Sequence, residues 1–287
     1  MKVTYYPGCT LEGTDRDYAD SIRGVCTALA IDLEELPDWN CCGATAAHSV
    51  DHQASIALAG RNLKLAARVP NADMVVPCPL CFNRLKAAVV ALQEEASLKK
   101  ETRPDAPLPT IWDLANFLAT EAILKKIEAG LRKPLEGLQV VCYYGCQASR
   151  PPKVTGAGDW ENPQSLDRIV KTLGGRPIPW PLKTDCCGAS LMISRPDMGY
   201  RMVGLLYEMA QRVGAQALVI SCPMCKDNLD MYQEKIEAEW ARPLGLPVFY
   251  FTELIGLACG LRGVKDWLSR HFKDPRPLLR ELGLLAE

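Results

Sequence analysis

Met74-Val75-Val76-Pro77-Cys78-Pro79-Leu80-Cys81 and Leu218-Val219-Ile220-Ser221-Cys222-Pro223-Met224-Cys225 are one pattern written twice. In each, a short apolar run of strand length enters a Cys-Pro-x-Cys turn, where proline blocks the strand and is suited to open a helix. Working outward, Cys41-Cys42-Gly43-Ala44 recurs as Cys186-Cys187-Gly188-Ala189, and Tyr5-Tyr6-Pro7-Gly8-Cys9 answers to Tyr143-Tyr144-Gly145-Cys146. Leu108-Pro109 followed by Trp112-Asp113-Leu114 has an echo in Leu246-Pro247 followed by Thr252-Glu253-Leu254. Duplication is the simplest source of so many matched flanks, and it sets the boundary near residue 135: one domain over 1–135, a second over 136–287. Lys99 to Leu108, charged and proline-bearing, reads as a linker that leads into a helical stretch through Arg132, and the second copy's extra residues fall in Gln147 to Ser165.

Within each copy strands alternate with helices. Lys2 to Tyr6 and Leu138 to Tyr144 are strand-length runs ending at a Gly-Cys turn. Tyr18, Ile22, Val25 and Leu29 then recur at helical spacing, as do Leu166, Ile169, Val170 and Leu173, and Met198, Met202, Leu205, Met209 and Val213 mark a helix after the second Cys-Cys-Gly. This alternation predicts an α/β fold of two duplicated domains, each a mainly parallel sheet covered by helices. Ligands of such sheets collect beyond the carboxyl ends of the strands, where all three cysteine positions of each copy fall. Helix N-termini there favour anionic sulfur.

The composition is that of an ordinary globular protein: 287 residues, 48% hydrophobic and 23% charged, with 33 Lys plus Arg against 34 Asp plus Glu. That balance leaves no basic footprint for nucleic acid. No apolar run reaches the roughly 18 residues of a membrane span, and the chain begins with a strand-like stretch where a secretory signal needs a basic and then an apolar region. A cytoplasmic protein without direct membrane insertion is expected. Its 13 cysteines are then metal ligands or redox groups rather than disulfides.

Ten of them form two matched sets: Cys9, Cys41, Cys42, Cys78 and Cys81; then Cys146, Cys186, Cys187, Cys222 and Cys225. No histidine joins either set, and thiolates select zinc or iron–sulfur clusters. Zinc and an ordinary four-iron cubane each take four protein ligands, so a fifth cysteine is surplus to both. Adjacent cysteines seldom chelate one small ion together but can serve two irons of a larger cluster, which favours an iron–sulfur cluster of unusual geometry over zinc. A thioredoxin-like dithiol at each Cys-Pro-x-Cys leaves the other six unused. Gly156-Ala157-Gly158 neither matches a phosphate-loop fingerprint nor opens a helix in the right place. Cys26, Cys142 and Cys259 read as buried packing residues, and the tyrosines at 5, 6, 143 and 144 as packing around strand ends. His48 and His52, four apart after Cys42, are candidates to share a helical face and supply a proton. Arg150 and Lys153, beside Cys146, are candidates to hold an anionic substrate group, against the commoner reading of a solvated loop.

The two rows of cysteines resemble, over nearly the whole chain, the duplicated cysteine-rich CCG domain of the heterodisulfide reductase B subunit. The resemblance implies that each set of five holds a non-cubane [4Fe-4S] cluster, the two clusters facing one another across the domain interface. A disulfide, the coenzyme M–coenzyme B heterodisulfide or a related one, is then split to two thiols by one electron from each side. It also implies a complex in anaerobic metabolism, with electrons arriving from a ferredoxin-like iron–sulfur protein (the C subunit of such complexes) fed by a flavin-containing one (the A subunit). The alternative is an iron–sulfur electron relay, without disulfide chemistry, in a quinone- or flavin-linked complex.

Overall fold

Two four-stranded sheets with the same strand order, β2-β1-β3-β4 and β6-β5-β7-β8, are built entirely from parallel pairs. The first half runs β1 (Lys2–Tyr5), α1 (Cys9–Glu12), α2 (Arg16–Ala28), β2 (Asp32–Glu35), α3 (Ala46–Val50), α4 (His52–Ala66), β3 (Asp73–Val76), α5 (Pro79–Lys99), β4 (Thr110–Asp113), α6 (Leu114–Leu118) and α7 (Glu121–Ala129). The second runs β5 (Gln139–Tyr143), α8 (Pro152–Thr155), α9 (Ser165–Thr172), β6 (Arg176–Pro177), α10 (Pro196–Arg212), β7 (Ala217–Ile220), α11 (Pro223–Met231), α12 (Gln233–Trp240), β8 (Val248–Tyr250), α13 (Phe251–Ala258), α14 (Val264–Leu268) and α15 (Arg276–Glu281). This computed structural model describes residues 1–44, 46–69, 73–99 and 108–286; most of the expected linker lies outside them.

Strands flanked by neighbours on both edges and helices on both faces must be apolar throughout. Ala217, Leu218, Val219 and Ile220 of β7, and Met74, Val75 and Val76 of β3, are accordingly buried completely. The expected helical faces pack as read: Tyr18, Ile22, Val25 and Leu29 of α2 and its C-cap, and Leu166, Ile169, Val170 and Leu173 of α9 and its C-cap, are all buried. The halves meet through helices in matching places, α2 against α13 and α9 against α6. Ser21 and Thr252 share a buried hydroxyl hydrogen bond of 2.7 Å there. One apolar core runs through this seam from Tyr18 and Leu114 to Leu166 and Leu254.

Four expectations shift. Counting back from Cys9 and Cys146, Tyr6 matches Tyr143, and Tyr144 stands opposite Pro7, so the two tyrosine pairs are out of step by one. The stretch after Leu108-Pro109 begins as strand β4, and the residue that matches Asp113 at the start of the next helix is Tyr250, not Glu253. His48 and His52 fall on two helices, α3 and α4, because Asp51 between them caps α4, accepting from Gln53 N at 2.8 Å and Ala54 N at 3.1 Å. The methionine stripe marks α10 but borders its packing face: Val203, Leu206, Tyr207 and Ala210 are buried, Met209 and Val213 are half-buried against the core, and Met198 is 40% and Leu205 46% exposed.

Candidate metal-binding site

Every cysteine of the two sets lies past the carboxyl end of a strand. Cys9 opens α1 after β1, Cys41 and Cys42 follow β2, and Cys78 and Cys81 bracket the turn from β3 into α5; the second half repeats this after β5, β6 and β7. Cys42, Cys78, Cys81, Cys187, Cys222 and Cys225 are buried, Cys146 is half-buried, and Cys9, Cys41 and Cys186 are exposed. All are free thiols. The Cys42 and Cys81 sulfurs are 3.2 Å apart, and those of Cys187 and Cys225 are 3.5 Å apart.

Glycine permits this crowding. Gly8 and Gly145 turn the chain from strand to cysteine at φ of +76° and +62°, a region glycine enters without strain. A Cβ there would stand 3.1 Å from the Cys81 sulfur and 3.2 Å from that of Cys225.

Matched tyrosines, and asparagines that are not matched, hold the cysteine-bearing segments. Tyr6 donates its hydroxyl to the Asn40 carbonyl at 2.8 Å and Tyr143 to that of Asp185 at 2.7 Å, each fixing the residue just before a pair. Burial raises both phenol pKa values, and so do the sulfurs around them: Cys81, Cys42, Cys41 and Cys9 for Tyr6; Cys225, Cys187, Cys186 and Cys146 for Tyr143. The Asn228 amide donates to the Cys187 carbonyl at 2.7 Å. Asn83, two residues after Cys81, donates across the seam to the Gln147 and Arg150 carbonyls at 3.1 and 2.7 Å, holding the loop that carries Cys146.

The sets also act on one another: Cys222 is the first influence lowering the Cys78 pKa. Inside each set neighbouring thiols shift one another in opposite directions. Hydrogen bonds from Cys41 and then Cys81 push Cys42 down, while Cys41 is driven up by its bond to Cys42. Cys186 is likewise pushed down by Cys146 and Cys187, and Cys146 up. Sulfurs this close cannot all ionise unless cations lie among them, and a coordinated metal deprotonates thiols outright. The donors are therefore those of a thiophilic centre, and both sets fit one.

The remaining candidates have other partners. Arg150 donates to Thr184 Oγ1 at 2.7 Å and lies 5.3 Å over the Trp160 ring, tying the Cys146 loop to the segment before Cys186; Lys153 is exposed. Cys26, Cys142 and Cys259 are buried, and burial raises the Cys26 pKa to about 12. Residue patterns did not announce the ion pairs beside the second set. Lys226, adjacent to Cys225, lies 3.5 Å from Asp17 and 3.6 Å from Asp230, and Glu253 lies 2.8 Å from His271, all of them buried. Lys226 and Asp17 tie α11 to α2, and Glu253 and His271 tie α13 to the segment after α14, through partners distant in sequence that spacing does not reveal.

The profile of the CCG cysteine-rich domain family matches this chain twice, at residues 3–86 and 140–230. The 8-methylmenaquinol:fumarate reductase membrane anchor subunit of Wolinella succinogenes is 30% identical over 283 residues, 96% of this chain and 99% of that one. The B subunit of the ferredoxin:CoB-CoM heterodisulfide reductase of Methanosarcina mazei is 26% identical over 90% of this chain and 89% of its own. A protein of Archaeoglobus profundus named as like the heterodisulfide reductase B subunit is 24% identical over 91% of each. A crystal structure of a hypothetical protein from Helicobacter pylori shares the fold, with a TM-score of 0.70 at 14% identity over 94% of this chain; this chain spans 52% of it. Among the described residues no helix is long and apolar enough to cross a membrane.

Proposed function

The chain belongs to the CCG cysteine-rich domain family, and from that premise we propose that it is the disulfide-reducing component of a multisubunit reductase complex. Its two domains, 1–135 and 136–287, each hold a non-cubane [4Fe-4S] cluster: Cys9, Cys41, Cys42, Cys78 and Cys81 the first, Cys146, Cys186, Cys187, Cys222 and Cys225 the second. When bound, the two clusters supply single electrons and Lewis-acidic iron. The reaction is R–S–S–R′ plus two electrons and two protons giving RSH and R′SH. Relatives named as the B subunit of heterodisulfide reductases support this reading, and the observation that carries it is that two five-thiol rows at strand ends are joined by Asn83, which reaches from beside Cys81 to the Gln147 and Arg150 carbonyls of the loop that carries Cys146.

The chain's own residues prepare the site. Tyr6, Tyr143 and Asn228 fix the cysteine pairs, and Asn83 locks one set to the other, so both are positioned before a ligand arrives. The exposed edges at Cys9, Cys41 and Cys186 leave water access for protons. Electrons arrive from a ferredoxin-like iron–sulfur protein, the C subunit of the complex, fed by its flavin-containing A subunit, in the cytoplasm. The test is anaerobic: the reduced, iron-loaded chain is mixed with candidate disulfides, and free thiols and paramagnetic cluster signals are followed. Two thiols formed for every two electrons lost support the proposal; no reaction with any disulfide overturns it.

A second reading, an electron relay exchanging electrons with the quinone–quinol couple, is favoured by one feature. A cavity of about 380 Å³ opens beside Cys186, its apolar wall including Met202, Leu205 and Met209 and its rim the charged Asp185, Glu208 and Arg212, and the Wolinella relative is named for a menaquinol reaction. Reoxidation of the reduced chain by a menaquinone analogue but by no disulfide selects this reading.

A further inference from the structure

The duplication supplies an internal control for side chains near the two cysteine sets. Counted from the cysteines, Arg84 of the first copy corresponds to Asn228 of the second, and His48 to Ile193. In the first copy these residues form a pair: Arg84 Nη1 lies 2.9 Å from His48 Nδ1, and Arg84 Nη2 donates to Asn83 Oδ1 at 2.7 Å. In the second copy both members are replaced, by an amide turned onto the Cys187 carbonyl and by an isoleucine that is 99% exposed.

The pair offers donors alone. A guanidinium has five N–H groups and accepts nothing, and two are used here. Because arginine only donates, His48 Nδ1 accepts, and the proton of the neutral imidazole stands on Nε2. The Arg84 charge, then burial and His52, lower the His48 pKa and keep the ring neutral at pH 7. No carboxylate among the described residues pairs with Arg84. Asp51, in the same segment, is turned to the N-terminus of α4. Arg84 is half-buried on α5, three residues after Cys81, and His48 N donates to the carbonyl of Gly43, next to Cys42, at 3.0 Å, so the donors stand at the edge of the first set.

We propose that Arg84 and His48 form an oxyanion-binding subsite at the mouth of the first cysteine set, taking a carboxylate, sulfonate or phosphate group of a small molecule. The planar guanidinium suits such groups through parallel N–H bonds, and the His48 Nε2–H supplies a further donor. The second copy, with Asn228 and Ile193 at these two places, lacks this pair, so a ligand spanning both sets meets it only at the first. The subsite concerns binding alone and stands whether the loaded chain reduces a disulfide or relays electrons.

The test is calorimetric titration of the whole chain with inorganic phosphate, against chloride at equal ionic strength. One saturable phosphate site is expected. Arg84→Asn should weaken it at least tenfold and His48→Ile severalfold, while Arg195→Gln, on the other copy and paired with Asp197, leaves it unchanged. His48→Ile keeps the test sound if Arg84→Asn does not fold, because the second copy carries isoleucine at that place. Phosphate heat no different from chloride, or undiminished binding by the folded variants, overturns the proposal.

Discussion

The ring of Tyr250 lies flat on that of Tyr18, centroids 3.9 Å apart and planes within 5°, so the last strand of the second sheet is stacked on the first long helix of the first half. The Tyr250 hydroxyl also donates to Asp15, itself buried. This contact closes the seam on which the two cysteine sets meet. Tyr250→Ala removes a completely buried ring and is expected to cost about 3–5 kcal/mol, the range for large aromatic truncations. Tyr250→Phe keeps the stack and should cost about 1–3 kcal/mol by leaving Asp15 Oδ1 without its donor, while Oδ2 keeps Thr14. Denaturant midpoints at constant slope decide this; equal losses for both variants would place the stabilisation in the hydroxyl and not in the stack.

Gly145 joins backbone geometry to the thiols. Gly145→Ala puts a Cβ 3.2 Å from the Cys225 sulfur at a φ of +62°, a conformation costing roughly 1–2 kcal/mol for other residues. The folded variant is expected to lose the iron of the second set and keep that of the first, reading as half the wild-type iron. Gly158→Ala, whose Cβ meets nothing within 4 Å, should load as wild type. Full iron in Gly145→Ala would show that the close approach to Cys225 is not required.

Asp113 caps α6, accepting from Asn116 N at 3.2 Å, yet its Oδ1 is buried without a partner. Burial raises its pKa from 3.8 to about 7. The native state therefore holds this proton more tightly than the unfolded chain, so the stabilisation is complete below about pH 4 and is lost as pH rises through about 7. Asp113→Asn keeps a capping side chain and removes the titration. It should be more stable than wild type at pH 8, by on the order of a few kcal/mol at about 1.4 kcal/mol per pH unit. Equal stability curves from pH 4 to 8 would contradict a buried, protonated Asp113.

The cysteine rows and the buried faces of α2 and α9 were legible because each is written in local spacing and repeated. β2 and β6 were not: Asp32-Leu33-Glu34-Glu35 and Arg176-Pro177 have no strand pattern. Edge strands in a parallel sheet need pair on one side alone, and charge or proline there discourages pairing with another chain. The partly exposed methionine stripe of α10 has helical period, but period does not say which side packs. The Arg84–His48 pair and the Lys226–Asp17 contact unite residues distant in sequence, and the duplication made only the first visible, through what the second copy lacks.

Cys187→Ser removes a buried sulfur 3.5 Å from Cys225 and is expected to halve the iron while leaving Cys9, Cys41, Cys42, Cys78 and Cys81 loaded. A variant with full iron would remove Cys187 from the ligands.

The central claim is that ten thiols hold two iron–sulfur clusters, and the most direct measurement is metal and acid-labile sulfide content of the anaerobically purified chain. Two four-iron clusters, of the thiolate-held kind, predict about eight irons and about eight sulfides per chain. About two zinc ions, the number that two tetrahedral thiolate sites would take, with no acid-labile sulfide, would contradict it.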